Sequence, residues 1–223
     1  MQRWVAPLLE PFLRNHPRIQ LLSTTKNLPS VSNVRTILGE PISTNSDGSI
    51  AWILSPSDLE AFTQELKATT EAKTLSSSAI STRSGMQCVM LSGTSVPAFV
   101  RVPPLEGTQA SSIQPVSASS TNSQGPSKFI DVGFRIDVTP KSVSGLIRLP
   151  LTASSTSQST WTITNGVAVP VIETNYFVAC RALVPNAGAL VISCTVTNAA
   201  QPEYRLLIFA PTLIDAKGQP IKR

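Results

Sequence analysis

A chain of 223 residues with 41% apolar and 14% charged side chains is long enough to bury a core without staples, and its composition is not that of a disordered chain. Its net charge of +5 and pI of about 9.4 come from scattered Lys and Arg, not from the clustered basic stripe that a nucleic-acid interface needs. Three cysteines, Cys88, Cys180 and Cys194, form an odd, widely spaced set, which excludes a disulfide framework and offers no zinc-ligand spacing.

In chain order, residues 4–15 have helical spacing, with Leu8, Leu9, Phe12 and Leu13 apolar, interrupted by Pro7 and Pro11. No apolar h-region or small-residue cleavage site marks a signal peptide here, and no span is long and apolar enough for a membrane helix. Short strands are expected at 18–22 and 37–42. The clearest helix is SPSDLEAFTQELKATTEA, predicted over about 56–69. Ser55 suits the N-cap, Pro56 the first helical position and Asp58 the positive helix end. Leu59, Phe62 and Leu66 share one apolar face.

Beyond this helix the period changes from 3.6 to 2. Residues 73–93 read as a hairpin, KTLSSSAIST and MQCVMLSG around STRSG. Residues 103–128, PPLEGTQASSIQPVSASSTNSQGPSK, lack periodicity and read as a long mobile segment. FIDVGFRIDV then alternates: Ile130, Val132, Phe134, Ile136 and Val138 take one face, Asp131, Arg135 and Asp137 the other. Gly133 falls on the polar face, the signature of a bulge or a close backbone approach. LIRLPL repeats the alternation, and TASSTSQSTWTITNG reads as a polar loop entering a Thr-rich strand. Residues 167–184 form another extended segment, 185–188 (PNAG) a turn, and ALVISCTVT a further alternating strand. Each cysteine sits among apolar residues and reads as a buried small hydrophobe; a Cys180–Cys194 bridge between adjacent strands stays open. The run Leu206, Leu207, Ile208, Phe209 and Ala210 is apolar on both faces and calls for cover on both.

The fold class is therefore mainly β with some α: antiparallel strands, an N-terminal helical portion and one amphipathic helix. Catalysis finds no foothold. His16 is the single histidine, far in sequence from the cysteines. Asp131 and Asp137 are about 20 Å apart at strand rise, too far for a carboxylate pair. No Gly-rich phosphate loop is present. No enzyme, cofactor, metal or small-molecule substrate is expected.

The order of these pieces resembles the secretin family, the outer-membrane channel subunits of type II and type III secretion and type IV pilus systems. Residues 75–82, LSSSAIST, are similar to the family's "lS-x-P-x-v-x-T" strand, with Ser78 in place of proline, and Ser95-Val96-Pro97 to its "vG-x-x-v-P" step. In FIDVGFRIDVTP, Val132, Gly133, Ile136, Val138 and Pro140 match "x-x-v-G-x-x-L-x-V-x-P". Gly188, Leu190, Val191 and Ile192 match the "d-G-x-t-v-v-i" strand, while Ser193 and Cys194 replace the family's glycine pair. YRLLIFAPTLIDAKGQPI resembles the closing strand, carrying Leu207 and Phe209. The outer-lip segment before that strand is absent.

The resemblance implies a division at about residue 50: a short N-terminal region, 1–50, as the remnant of a periplasmic domain, and a secretin-like β domain, 51–223. It also implies a homo-oligomeric outer-membrane β-barrel for protein secretion, whose partners are further copies of itself, outer-membrane lipid and secretion-system components. Val132, Gly133, Ile136, Val138, Pro140, Gly188, Leu190, Ile192, Leu207 and Phe209 would be its strand and assembly residues. With no signal peptide visible, a fragment or a cytoplasmic chain is the competing expectation for location. A soluble β-rich binding or scaffold module that keeps the fold without a pore is the competing expectation for function.

Overall fold

The computed structural model of the chain describes residues 17–28, 32–44, 48–68, 72–101, 129–164, 167–196 and 203–221. The expected helix at 4–15, His16 and the segment 103–128 lie outside the described residues. Within them the protein is two antiparallel sheets and two helices, arranged in three layers. The mainly β expectation holds.

The first sheet collects strands from distant parts of the chain. Its order is β2 (Ser43–Thr44), β3 (Ile50–Leu54), β11 (Ala189–Val196), β12 (Glu203–Ile214), β1 (Arg18–Leu28) and β4 (Lys73–Arg83). β1 runs to Leu28, well past the expected end at residue 22, and lies between β12, paired over its whole length, and β4, paired from Arg18 to Asn27. Residues 18–28, placed by sequence in an N-terminal region ending near residue 50, are thus a central strand of the same sheet as 203–214.

The second sheet has the order β5 (Cys88–Pro97), β7 (Phe129–Val138), β9 (Leu146–Thr164), β10 (Val167–Pro185) and β6 (Val100–Arg101), with β8 (Lys141–Val143) paired to β9. β9 and β10 are each 19 residues long, about 60 Å if straight. The polar loop expected at the start of residues 152–166 is strand instead, as far as Thr164. Its Ser and Thr backbones pair with β10 almost throughout, and Thr is a good strand former even where no apolar alternation announces it. Two register shifts, at Val171/Ile172 and Thr174/Tyr176, interrupt the ladder.

Residues 73–93 do not form a hairpin. β4 pairs with β1 in the first sheet and β5 with β7 in the second. The chain changes sheets at a turn where Met86 N donates to Arg83 O at 3.0 Å and Gly85 N to Pro140 O at 2.7 Å. The alternation of each strand was legible, but the partner of each is a non-local choice.

Two helices cover the outer side of the first sheet. α1 (Ser32–Leu38) replaces the strand expected at 37–42. Val34, Ile37 and Leu38 stand at helical spacing and pack in the cluster around Trp52. Gly39, at φ +70°, donates its N–H to Arg35 O, a left-handed C-terminal stop that only glycine adopts cheaply. α2 (Pro56–Ala68) sits where its periodicity placed it. Ser55 and Asp58 cap it reciprocally: Asp58 N donates to Ser55 Oγ at 3.2 Å, and Ser55 N to Asp58 Oδ2 at 3.4 Å. Phe62 and Leu66 are buried, with Leu59 packed beside them.

These layers account for the doubly apolar last strand. Leu206 and Ile208 face the helices, packed with Trp52, Phe62, Leu66 and Val191. Leu207 and Phe209 face the second sheet, packed with Ile136, Leu149, Val178 and Val184. A neighbouring subunit is not needed to cover either side: Leu206, Leu207 and Phe209 have no exposed surface. The cover that this doubly apolar strand calls for is supplied on both faces by the chain itself.

Candidate functional site

Nine of the ten strand and assembly residues fall into the core and its turns, and Gly133 lies on the polar face of β7. Ile136, Val138, Leu190, Ile192, Leu207 and Phe209 lie in one cluster between the sheets. Leu190 stands directly opposite Phe209, and Ile192 opposite Leu207, so two motifs far apart in sequence meet as cross-strand pairs. Val132 and Pro140 are buried, and Pro140 O receives the Gly85 N–H described above. Gly188 closes the turn into β11 by donating to Pro185 O at 3.0 Å, and a Cβ there would come within 2.3 Å of Leu54 O.

Gly133 is the close approach that its place on the polar face suggested. It pairs with Gly93 of β5. A Cβ on Gly133 would meet Ser92 O at 2.5 Å, and one on Gly93 would meet Val132 O at 2.0 Å. Gly133 also has φ +137°, a conformation that side chains rarely adopt. Across the other edge of β7, Gly133 N donates to Thr156 Oγ1 at 3.2 Å. Gly93, the partner in this pair, was missed by sequence reasoning, because a lone glycine in a polar strand carries no signal of what faces it.

The polar face of β7 is ordered by local pairing. Arg135 Nε and Nη2 donate to the two carboxylate oxygens of Asp137 at 2.7 and 3.1 Å. Ser95 Oγ donates to Asp131 at 2.8 Å. Asp137 borders a groove of about 560 Å³ that Thr152 and Arg181 also line, but among the described residues no second carboxylate, thiolate–histidine pair or nucleophile–base pair converges there. Among the described residues no group of His, Cys, Asp and Glu could hold a metal. Cys88, Cys180 and Cys194 form no disulfide with one another, so the Cys180–Cys194 bridge is not formed. The Arg135–Asp137 pair is solvent-exposed, where ion pairs contribute little. Asp137→Asn is therefore expected to move Tm by less than about 2 °C in a thermal scan. A larger loss would show that this face is covered in solution.

What the second sheet offers instead is a pair of open edges. Among the described residues β5 is bonded on one side only, to β7. β10 is bonded to β9 on one side, while β6 covers just Val167 and Ala168 on the other. Among the described residues, the remaining backbone of β10, to Pro185, has no ladder partner on that side. The outer face between these edges carries exposed apolar side chains, with Leu91 of β5 45% exposed and Phe177 of β10 59% exposed. Both stand in one cross-strand row, Leu91–Arg135–Ser154–Phe177. No helix among the described residues is long and apolar enough to cross a membrane.

No family model and no curated protein matches the sequence. Solved structures do. The chain is similar to the type II secretin GspD of enteropathogenic Escherichia coli, at 11% identity and a TM-score of 0.42, over 96% of this chain and 75% of that one. It is similar to the type II secretion system secretin GspD of E. coli K12, at 9% identity and 0.46, over 97% of this chain and 55% of that one. It is also similar to the secretin XcpQ of Pseudomonas aeruginosa, at 13% identity and 0.45, over 96% of this chain and 64% of that one. All three scores lie below 0.5.

Proposed function

We propose that the chain is a secretin-like subunit of a homo-oligomeric β-barrel channel in an outer membrane, a structural component of protein secretion with no catalytic step. The observation that carries this reading is the second sheet. Among the described residues it has two unlike open edges, β5 and β10, separated by an even number of strands. β5, β7, β9 and β10 each run antiparallel to the next. A second copy in the same orientation therefore lays its β5 antiparallel along β10 of the first. The contact is head-to-tail, and such contacts close into rings when the rotation between copies closes. Long open edges in an isolated sheet invite pairing with another chain, and a closed barrel removes them. The sequence motifs and their order support the same reading, and the resemblance they form implies the outer-membrane location and the secretion-system partners.

A second reading is a soluble β-rich binding or scaffold module. It is favoured by the complete coverage of β12 within one chain, which gives the monomer a closed core.

Size in detergent separates the two. The pore reading expects a large ring from the wild-type chain, and expects Leu91→Lys combined with Phe177→Lys to give folded monomers. Both changes are on an exposed face at the open edges, so melting should be close to wild type. A wild-type chain that stays monomeric and soluble at high concentration without detergent would overturn the pore reading and leave the solitary module.

A further inference from the structure

The outer face of the second sheet carries an arrangement that neither the motifs nor the edges explain. Lys141 of β8 stands directly opposite Arg148 of β9. Arg148 stands opposite Leu183 of β10, and Arg181 lies two residues from Leu183, opposite Pro150. Cross-strand partners share a face, so Lys141, Arg148 and Arg181 form one cationic cluster; all three are exposed. Directly opposed side chains have Cβ atoms about 5 Å apart, and like charges in that position destabilise a sheet. None of the three has a carboxylate partner among the described residues. The same rows hold exposed apolar side chains: Leu183 at 50%, Val143 at 40% and Leu146 at 39%, with Val143 directly opposite Leu146.

We infer that this corner is a membrane-binding surface for anionic phospholipid, with the three cations on headgroup phosphates and Val143, Leu146 and Leu183 entering the acyl boundary. Two features point to a bilayer rather than to a soluble anion. The cations alternate with apolar side chains across three strands, which is the mixture a headgroup layer accepts. Arg181 alone of the three lines the neighbouring groove; Lys141 and Arg148 stand outside it on the open sheet face, so the cluster as a whole does not enclose a single phosphate. The inference deepens the membrane side of the proposed function, and its test reads lipid binding irrespective of ring size.

The test is flotation of the purified full chain with vesicles of phosphatidylglycerol or of phosphatidylcholine, with oligomeric size measured on the same samples. Binding to phosphatidylglycerol and not to phosphatidylcholine is expected, reversed by about 0.5 M salt. The combined change Lys141→Gln, Arg148→Gln and Arg181→Gln is expected to weaken it about a hundredfold, at about fivefold per cation. Leu183→Ser should weaken it with the charge intact. Lys67→Gln and Lys217→Gln, equal in chemistry but elsewhere, should bind as wild type. Equal binding to both vesicles, or a triple variant that binds like wild type, overturns the inference. So does a rise in Tm with inorganic phosphate at matched ionic strength together with no flotation, since that would mark a free-anion site. A chain that floats but forms no ring would sink the pore reading and leave this surface standing.

Discussion

Phe209→Ala is expected to cost about 3–5 kcal/mol of unfolding free energy, whatever the oligomeric state. Phe209 has no exposed surface, lies between the two sheets and faces Leu190 across the ladder. Truncation removes the ring's apolar area and leaves a cavity lined by strands from both sheets, which cannot all shift inward together. Urea unfolding of a dilute, monomeric sample reads the effect directly. If the loss appears only at concentrations where the chain assembles, the side chain belongs to an interface and the closed core described above is wrong. Leu207→Ser should behave alike, adding a hydroxyl without a partner to the same layer.

The second large effect is expected at the glycine pair. Gly133→Ala asks a side chain to adopt φ +137° and brings its Cβ to 2.5 Å from Ser92 O. Gly93→Ala brings a Cβ to 2.0 Å from Val132 O. Neither obstacle is a flexible side chain; each is the backbone of the paired strand. The ladder between β5 and β7 must open or slide, and each substitution is expected to cost about 3 kcal/mol or more. Loss of amide protection in residues 88–97 and 129–138, with the first sheet still protected, would show the damage confined to this seam. An alanine variant that melts like wild type would mean that the two backbones are not so close.

Much of this arrangement could be read from the residues. FIDVGFRIDV declared its faces because every second side chain is apolar, and Ile136 and Val138 are buried as that pattern requires. The helix at 56–68 announced itself through its cap and its apolar stripe. Leu190, Ile192, Leu207 and Phe209 were singled out from separate motifs and proved to be opposed pairs. Other features were hidden for physical reasons. KTLSSSAIST and MQCVMLSG both look like strands, but nothing local says that they join different sheets, since strand pairing is decided by the distant residues that each must cover. The Ser/Thr tract after Leu151 has no alternation to read, because its strand character rests on backbone pairing with β10. The segment at 37–42 looked extended, yet Val34, Ile37 and Leu38 serve Trp52 better from a helix. The edges that β5 and β10 leave open among the described residues could not be foreseen at all, as an edge is defined by the absence of a neighbour.

The position of β1 has a consequence in time. Its two neighbours are β12, at 203–214, and β4, at 73–83. The first sheet therefore has a gap in its middle until some 185 residues beyond β1 have emerged, an estimate from strand positions in a topology of high contact order, which folds slowly. During synthesis or threading, β1 and β4 can form at most an isolated two-stranded ribbon, which is marginal in water. β3 and β11 wait on the far side of the gap, and the helices have half a sheet to rest on. The arrival of β12 joins both halves at once and completes both apolar layers. In a chain built this way the second sheet can pair first, and the first sheet closes late, in the single step that brings β12 between β11 and β1.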